Sequence, residues 1–272
     1  MTIDSLFLSG CGSKGNCFIG VLNALIDKKI IELDKIVKYI CCSSGSLMGF
    51  NLCCGIDLKT VQKISNRLNY TELYDLNDLN DLFENQGLFS NKKVGNIICG
   101  ILKFKYDRED ITLKEFHELT TREFICKVYN LSKKCNEYIS YKNYPELSVI
   151  TLIRMTTCIP IFFKPIIYND EYYIDGGITG NMPFIKDYEN FIGIYICNKC
   201  DSKSIGELSF FEYISKVVCC KEIDNNLNNK KIITIDCFSE PIADFDICDE
   251  RKKEFIDKSY KIAIEHIDKL LS

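Results

Sequence analysis

Ile36-Val37-Lys38-Tyr39-Ile40-Cys41-Cys42 runs straight into Ser43-Ser44-Gly45, and Ser46 to Cys54 follow with Gly55 behind them. The first seven residues predict a buried strand, the three small ones a tight turn, and 46 to 54 a helix closed by a glycine. The same order occurs upstream. Ile3 to Leu8 is a short apolar run, Ser9-Gly10-Cys11-Gly12-Ser13-Lys14-Gly15 is a glycine-rich loop, and Phe18 to Lys29 carries Phe18, Val21, Leu22 and Leu25 at helical spacing. Two consecutive strand–turn–helix units predict an α/β fold, a three-layer αβα sandwich on a mostly parallel central sheet.

Further along, residues 57 to 119 read as helices with polar breaks, a variable lid or insert. The short repeat from Asp75 to Leu82 reads there as a capped helix entrance in preference to a calcium loop. Phe124 to Tyr129 and Glu137 to Ser140 predict two strands around a turn, and Pro145 to Thr157 a helix stopped before Pro160. Tyr172 to Ile174 is a short strand entering Asp175-Gly176-Gly177. Strands at Phe191–Cys197 and Ile232–Cys237 enclose a helix around 208 to 221 and a polar loop from 224 to 231. Asp249 to Leu271 presents a broad apolar face (Phe255, Tyr260, Ile262, Ala263, Ile267, Leu270) and reads as a docked amphipathic helix, with a membrane surface as the alternative resting place.

A chain of 272 residues, 46% hydrophobic and 26% charged, is long enough to bury one full core and is read as a single domain, 1 to 272. Its formal net charge of −4 argues against a nucleic-acid partner, which requires a concentrated basic face. Sixteen cysteines without a signal-like N-terminal segment suggest a reduced, cytoplasmic protein in which most thiols are small buried hydrophobes. Cys197 and Cys200 have C-x-x-C spacing, but a zinc site requires two more ligands and only Cys219 and Cys220 lie near, so no metal or cofactor is expected. No apolar run reaches the roughly 18 residues that span a bilayer, so any membrane contact is expected to be peripheral. Oligomeric state is left open.

A serine on a strand-to-helix turn is pushed clear of the sheet, and small neighbours are needed because the backbone there is crowded. Cys41-Cys42-Ser43-Ser44-Gly45 has that shape, with Cys41 where the usual G-x-S-x-G pattern has its first glycine. Ser44 competes as nucleophile, but only Ser43 has Gly45 two positions on. A small-residue strand end that merely begins a helix is the plain alternative. The loop from Gly10 to Gly15 precedes a helix, so its amides and the helix dipole favour an anion, either a phosphate or the oxyanion of a tetrahedral intermediate. Neither histidine is well placed as a base: His117 sits in a charged helix and His266 in the middle of the last one. Asp175 lies between a strand and two glycines that let the backbone turn and leave its carboxylate free for a neighbour. A Ser43–Asp175 pair is then the simplest complete machinery.

The order and wording of these pieces resemble the patatin-like phospholipase family. Ser9 to Gly15 is similar to that family's glycine-rich oxyanion loop, Ser43-Ser44-Gly45-Ser46-Leu47 to its nucleophile elbow, and Asp175-Gly176-Gly177 with Asn181-Met182-Pro183 to its aspartate segment. Thr157 to Pro165 is similar to the helix end and proline turn preceding that segment. The resemblance covers about residues 4 to 197. It implies metal-independent hydrolysis of lipid acyl esters by Ser43 and Asp175 through an acyl-enzyme. It further implies an oxyanion hole around Gly10, Cys11 and Gly12, support from Gly45, Gly176 and Gly177, and Lys14 on a lipid phosphate. Lys14 replaces the more usual arginine, which keeps charge but loses bidentate geometry. Two other readings stay open: a catalytically weakened lipid-binding protein of the same fold, motivated by Cys41, and an α/β-hydrolase triad employing His266.

Overall fold

β1 (Ser5–Leu8) is buried along its whole length and hydrogen-bonds parallel neighbours on both sides, β2 (Lys38–Cys42) and β9 (Phe191–Ile196). A strand sealed on both faces has no solvent side to keep polar, which is why these segments read as continuous apolar runs. The computed structural model describes residues 3–67, 87–185, 188–197, 213, 217, 229–236 and 247–271. The Asp75–Leu82 repeat, Cys200, Cys219 and Cys220 lie outside them, as does nearly all of the 208–221 helix. Only Tyr213 and Val217 of that helix are described, and both are helical.

The main sheet follows the order β10-β9-β1-β2-β4-β8-β7, with β10 at Ile232–Ile235, β4 at Glu123–Asn130, β8 at Glu171–Asp175 and β7 at Ile166–Tyr168. The first five are parallel to one another, whereas β8, β7 and β5 (Cys135–Ile139) run antiparallel to the strands they pair with. Glycine-turn units account for the parallel part: α1 (Asn16–Asp27) follows β1 and α2 (Ser44–Cys53) follows β2. Leu6, Leu8, Tyr39, Cys41, Cys126 and Val128 point into one core with these helices. Phe7, Ile40, Ile125 and Tyr195 alternate to the other face, covered among the described residues by Met182, Phe184 and Tyr188. This mixed, mostly parallel sheet flanked by helices is a three-layer α/β sandwich.

The 57–119 stretch contains α3 (Leu58–Arg67), β3 (Gly87–Phe89), α4 (Lys92–Tyr106) and α5 (Leu113–Thr120). Thr112 caps α5 through a reciprocal bond with Glu115. A helical reading of this stretch misses β3, which pairs with β6 (Ile161–Phe163); three-residue strands are too short to show a period. The expected 145–157 helix is shorter, α6 (Val149–Thr156), because Ser148 takes the cap position and accepts from the Thr151 amide. α7 (Asp249–Leu271) docks on α1, where Ser259 Oγ donates to the Cys17 carbonyl at 3.0 Å.

One feature of the topology governs the site. β2 covers residues 123–127 of β4 and β8 covers 128–130, while β5 pairs with 126–130. β5 overlaps both of the others and so occupies the opposite edge. β2 and β8 therefore share one edge of β4 and meet head to head, bringing the end of β2 at Cys42 against the end of β8 at Asp175.

Candidate active site

Ser43 leaves β2 with φ 49° and ψ −130°, a conformation an L-residue holds only when its surroundings impose it. Three contacts do so. Its amide donates to Thr156 Oγ1 at 2.9 Å, that hydroxyl donates to the Lys127 carbonyl at 2.7 Å, and the Ser43 carbonyl accepts from both the amide and the hydroxyl of Ser46. Gly45 is required by close approach, since a Cβ there would lie 2.5 Å from the Leu8 and Ser9 carbonyls.

Ser43 Oγ donates to Asp175 Oδ2 at 2.5 Å. The other carboxylate oxygen, Oδ1, accepts from the Gly177 amide at 2.7 Å, and the Asp175 amide donates to Cys158 O. Ser43 is 6% exposed and Asp175 3%. Burial pushes the Asp175 carboxyl up to about 6, opposed by the Ser43 and Gly177 hydrogen bonds and by the nearby Lys127 ammonium. Lys127 is itself buried and donates to Gly180 O at 2.6 Å. The arrangement can carry a proton from hydroxyl to carboxylate over a short, oriented path.

The glycine loop comes beside this pair. Gly10 donates its amide to Asn181 O at 2.9 Å, and a Cβ on Gly10 would lie 2.5 Å from Asn181 Oδ1 and 3.1 Å from Ser43 Cβ. The Cys11 amide donates to Ser44 Oγ at 3.0 Å, so Ser44 is occupied with the loop rather than with Asp175. Gly12, at φ 58°, heads the 3-10 turn Gly12–Gly15, where the leading amides have no partner within the turn. Lys14, read from the sequence as a phosphate contact, is completely buried. In this arrangement it presents no surface to a head group.

Both histidines sit elsewhere. His117 faces the Arg122 carbonyl and stacks on Tyr141 at 3.8 Å, and His266 Nε2 lies 3.5 Å from Lys230 O. Among the described residues no group of three His, Cys, Asp or Glu side chains is gathered to hold a metal.

The glycine loop, the strained serine turn and the aspartate segment are spread over most of the span from residue 6 to 186, which matches the patatin-like phospholipase family model. The chain belongs to the patatin-like phospholipase family. It is 31% identical over 184 residues to the "probable lipid hydrolase 463L" of Invertebrate iridescent virus 6, covering 66% of this chain and 61% of that protein. An uncharacterized protein, R571, of Acanthamoeba polyphaga mimivirus is 25% identical over 201 residues, 72% of this chain and 66% of that one. The matched part thus spans less than two thirds of the length of either viral relative. Among solved structures, VipD from Legionella pneumophila superposes with a TM-score of 0.73 at 15% identity over 99% of this chain and 67% of that one. ExoU from Pseudomonas aeruginosa, in complex with SpcU, gives 0.54 at 14%, over 98% and 52%. At such identities these likenesses show the shared patatin-like fold.

For this member of the family, Cys41 in place of the elbow glycine has a structural answer. Its thiol points into α2, where a Cβ on Gly49 would lie 2.3 Å from Cys41 Sγ. The glycine missing from the strand is matched by one on the helix. Sequence reading missed Thr156, Lys127 and Gly49. Only Lys127 carries a signal, as the lone charge inside the strand from Phe124 to Tyr129.

Beside the loop and the elbow a cavity opens between α1, α2, α3 and α4. Gly12 and Ser44 stand at its edge, and Phe18, Met48, Val61, Val94, Ile98 and Ile101 form its walls.

Proposed function

We propose that the protein is a lipid acyl hydrolase in which Ser43 is the nucleophile and Asp175 its base. The 2.5 Å hydrogen bond from Ser43 Oγ to Asp175 Oδ2 carries this reading, together with membership of the patatin-like phospholipase family. Ser43 Oγ attacks the ester carbonyl while its proton passes to Asp175. The protonated carboxyl then returns the proton to the departing alcohol oxygen, leaving an acyl-Ser43 ester. Water attacks that ester with Asp175 again accepting the proton; on collapse the carboxyl returns it to Ser43 Oγ, releasing a fatty acid and free Ser43. A carboxyl raised to about 6 suits this work: it is mostly ionised at neutral pH yet more basic than an ordinary aspartate.

The oxyanion sits at the glycine loop. Gly12 offers an amide at the head of its turn, and the Cys11 amide becomes available when Ser44 Oγ rotates away. Gly10 serves by closing against Asn181, to which its amide is committed. Each such donor is worth about 2.7–4 kcal/mol of transition-state stabilisation. The apolar cavity beside Gly12 and Ser44 supports an acyl chain as the group held next to the carbonyl.

A fluorophosphonate probe and a phospholipid hydrolysis assay test the reading on three proteins: wild type, Ser43→Ala and Asp175→Asn. Wild type is expected to label at Ser43 and release fatty acid. Each variant is expected to lose at least about 10³-fold in kcat while keeping the wild-type circular dichroism spectrum. Undiminished hydrolysis in either folded variant would refute the dyad.

A further inference from the structure

α2 and α4 leave the site side by side. α2 begins at Ser44, and α4 begins beside α6, where Asn91 Nδ2 donates to the Arg154 carbonyl two residues before Thr156. Ser44, Met48 and Asn51 on one helix and Val94, Ile98 and Ile101 on the other line the cavity between them. Further on the two helices meet: the Tyr106 hydroxyl lies against the Cys54 thiol, beyond Asn51 on α2 and beyond Ile101 on α4. Cys54 is buried and Tyr106 half-buried, so among the described residues this contact stands between the deep end of the cavity and solvent. The cavity thus has its mouth at Gly12 and Ser44 and its floor at Tyr106.

The depth follows from the helices. Seven residues separate Ser44 from Asn51 and Val94 from Ile101, about 10 Å of helix. Bonds of about 1.5 Å at near-tetrahedral angles advance an extended alkyl chain by about 1.25 Å per carbon, so roughly eight carbons reach the floor. Volume sets a tighter figure. The cavity holds about 110 Å³, and a group the size of a water or a methylene takes roughly 30 Å³ in a liquid, which leaves room for about four. A palmitoyl chain exceeds both figures. Resting on the hydrolase reading above, we propose that this cavity selects short acyl chains, about four to eight carbons long, and that Tyr106 sets the limit.

The test follows nitrophenyl esters of butyryl, octanoyl, dodecanoyl and palmitoyl chains, each in the same neutral detergent micelles. Wild type is expected to work best on butyryl or octanoyl and to fall at least about tenfold in kcat/KM at palmitoyl, because a chain held at Ser43 by its carbonyl has nowhere to put the excess. Tyr106→Ala opens the floor to solvent, and its dodecanoyl-to-octanoyl ratio is expected to rise about tenfold. Ile101→Phe fills the deep end and is expected to lower the octanoyl-to-butyryl ratio. In parallel, free fatty acids from butyrate to dodecanoate are titrated by calorimetry against Ser43→Ala, which reads the cavity without turnover. Each methylene buried strengthens binding by up to about fourfold, and the gain is expected to stop by about eight carbons. Equal hydrolysis of octanoyl and palmitoyl esters by wild type, or a Tyr106→Ala profile like that of wild type, overturns the inference and leaves the hydrolase reading standing. No hydrolysis at any length, with binding that levels off by about eight carbons, refutes the hydrolase reading and keeps the floor. Binding that climbs on to dodecanoate overturns the floor whatever the esters show. Should Tyr106→Ala fail to fold, Ile101→Phe decides: an octanoyl-to-butyryl ratio unchanged from wild type in that folded variant overturns the inference.

Discussion

Replacing Gly49 with alanine tests how this elbow accommodates Cys41. A methyl at position 49 meets Cys41 Sγ at 2.3 Å, whereas its next neighbours, Phe124 Cε2 and Leu8 Cδ1, stand at ordinary contact distances of 3.5 and 3.6 Å. Among the described residues the thiol is thus the only serious obstacle, and it is buried on a central strand with little room to turn. Overpacking of this kind costs about 1–3 kcal/mol, here near the upper end, while alanine for glycine within a helix returns about 1 kcal/mol. Gly49→Ala is expected to lose about 2 kcal/mol. Cys41→Ala removes one buried heavy atom and loses about 1 kcal/mol. In the double variant the new methyl takes the space the sulfur leaves, so its stability falls within about 1 kcal/mol of wild type and the coupling is about 2–3 kcal/mol. Urea unfolding followed by circular dichroism under reducing conditions measures all four proteins. Ester hydrolysis is expected to follow the same pattern, because Cys41 lies two residues before Ser43. A Gly49→Ala protein as stable as wild type, or strict additivity in the double variant, would refute the compensation.

Two more perturbations probe the pair itself. Asp175 accepts a proton only when ionised, so kcat/KM is expected to fall as pH drops through about 6; Lys127→Met removes the cation that lowers this carboxyl and is expected to move the acidic limb upward, seen in a pH–rate profile as activity lost near neutrality and recovered in mild alkali. A limb that stays in place in the folded variant would dismiss the Lys127 contribution. Thr156→Val leaves the Ser43 amide without its partner in a dry site and removes the hydroxyl's bond to the Lys127 carbonyl, so a stability loss of about 2–3 kcal/mol is expected. Its kcat is expected to fall while KM holds, with Thr156→Ser restoring both; equal kcat in Val and wild type would show that the turn holds Ser43 without this hydroxyl.

The parallel half of the fold was legible because strands sealed on both faces announce themselves as apolar runs, and a glycine turn after each tells the chain to cross over by a helix. Ile3–Leu8 and Ile36–Cys42 are of this kind, and the last helix was legible to its ends from the spacing of its apolar face. β3, β6 and β7 were not, since three residues make neither a period nor a core. The two residues proposed to carry the chemistry stood at different levels of legibility. Ser43 is a local matter, a small-residue turn between strand and helix. Asp175 could be read only as a carboxylate on a glycine turn, because its meeting with Ser43 depends on β8 entering the sheet antiparallel, on the edge of β4 that β2 vacates. That edge-sharing is set by pairing residues 43 to 47 positions apart in the chain, and no local pattern encodes it.

The same geometry explains why the supporting residues cluster on β4 and α6. A strand end that meets another head on leaves no ladder partner at the junction, so the Ser43 amide must be satisfied from outside the sheet, and Thr156 reaches it from α6 while bonding back to β4 at Lys127. Lys127 then lies beneath both strand ends, with its ammonium on the Gly180 carbonyl, close enough to Asp175 to oppose the effect of its burial. A lysine inside an otherwise apolar strand is costly unless it answers a buried charge. That cost is the physical reason its presence in the strand from Phe124 to Tyr129 points to an anionic carboxylate next to Ser43 rather than to a neutral one.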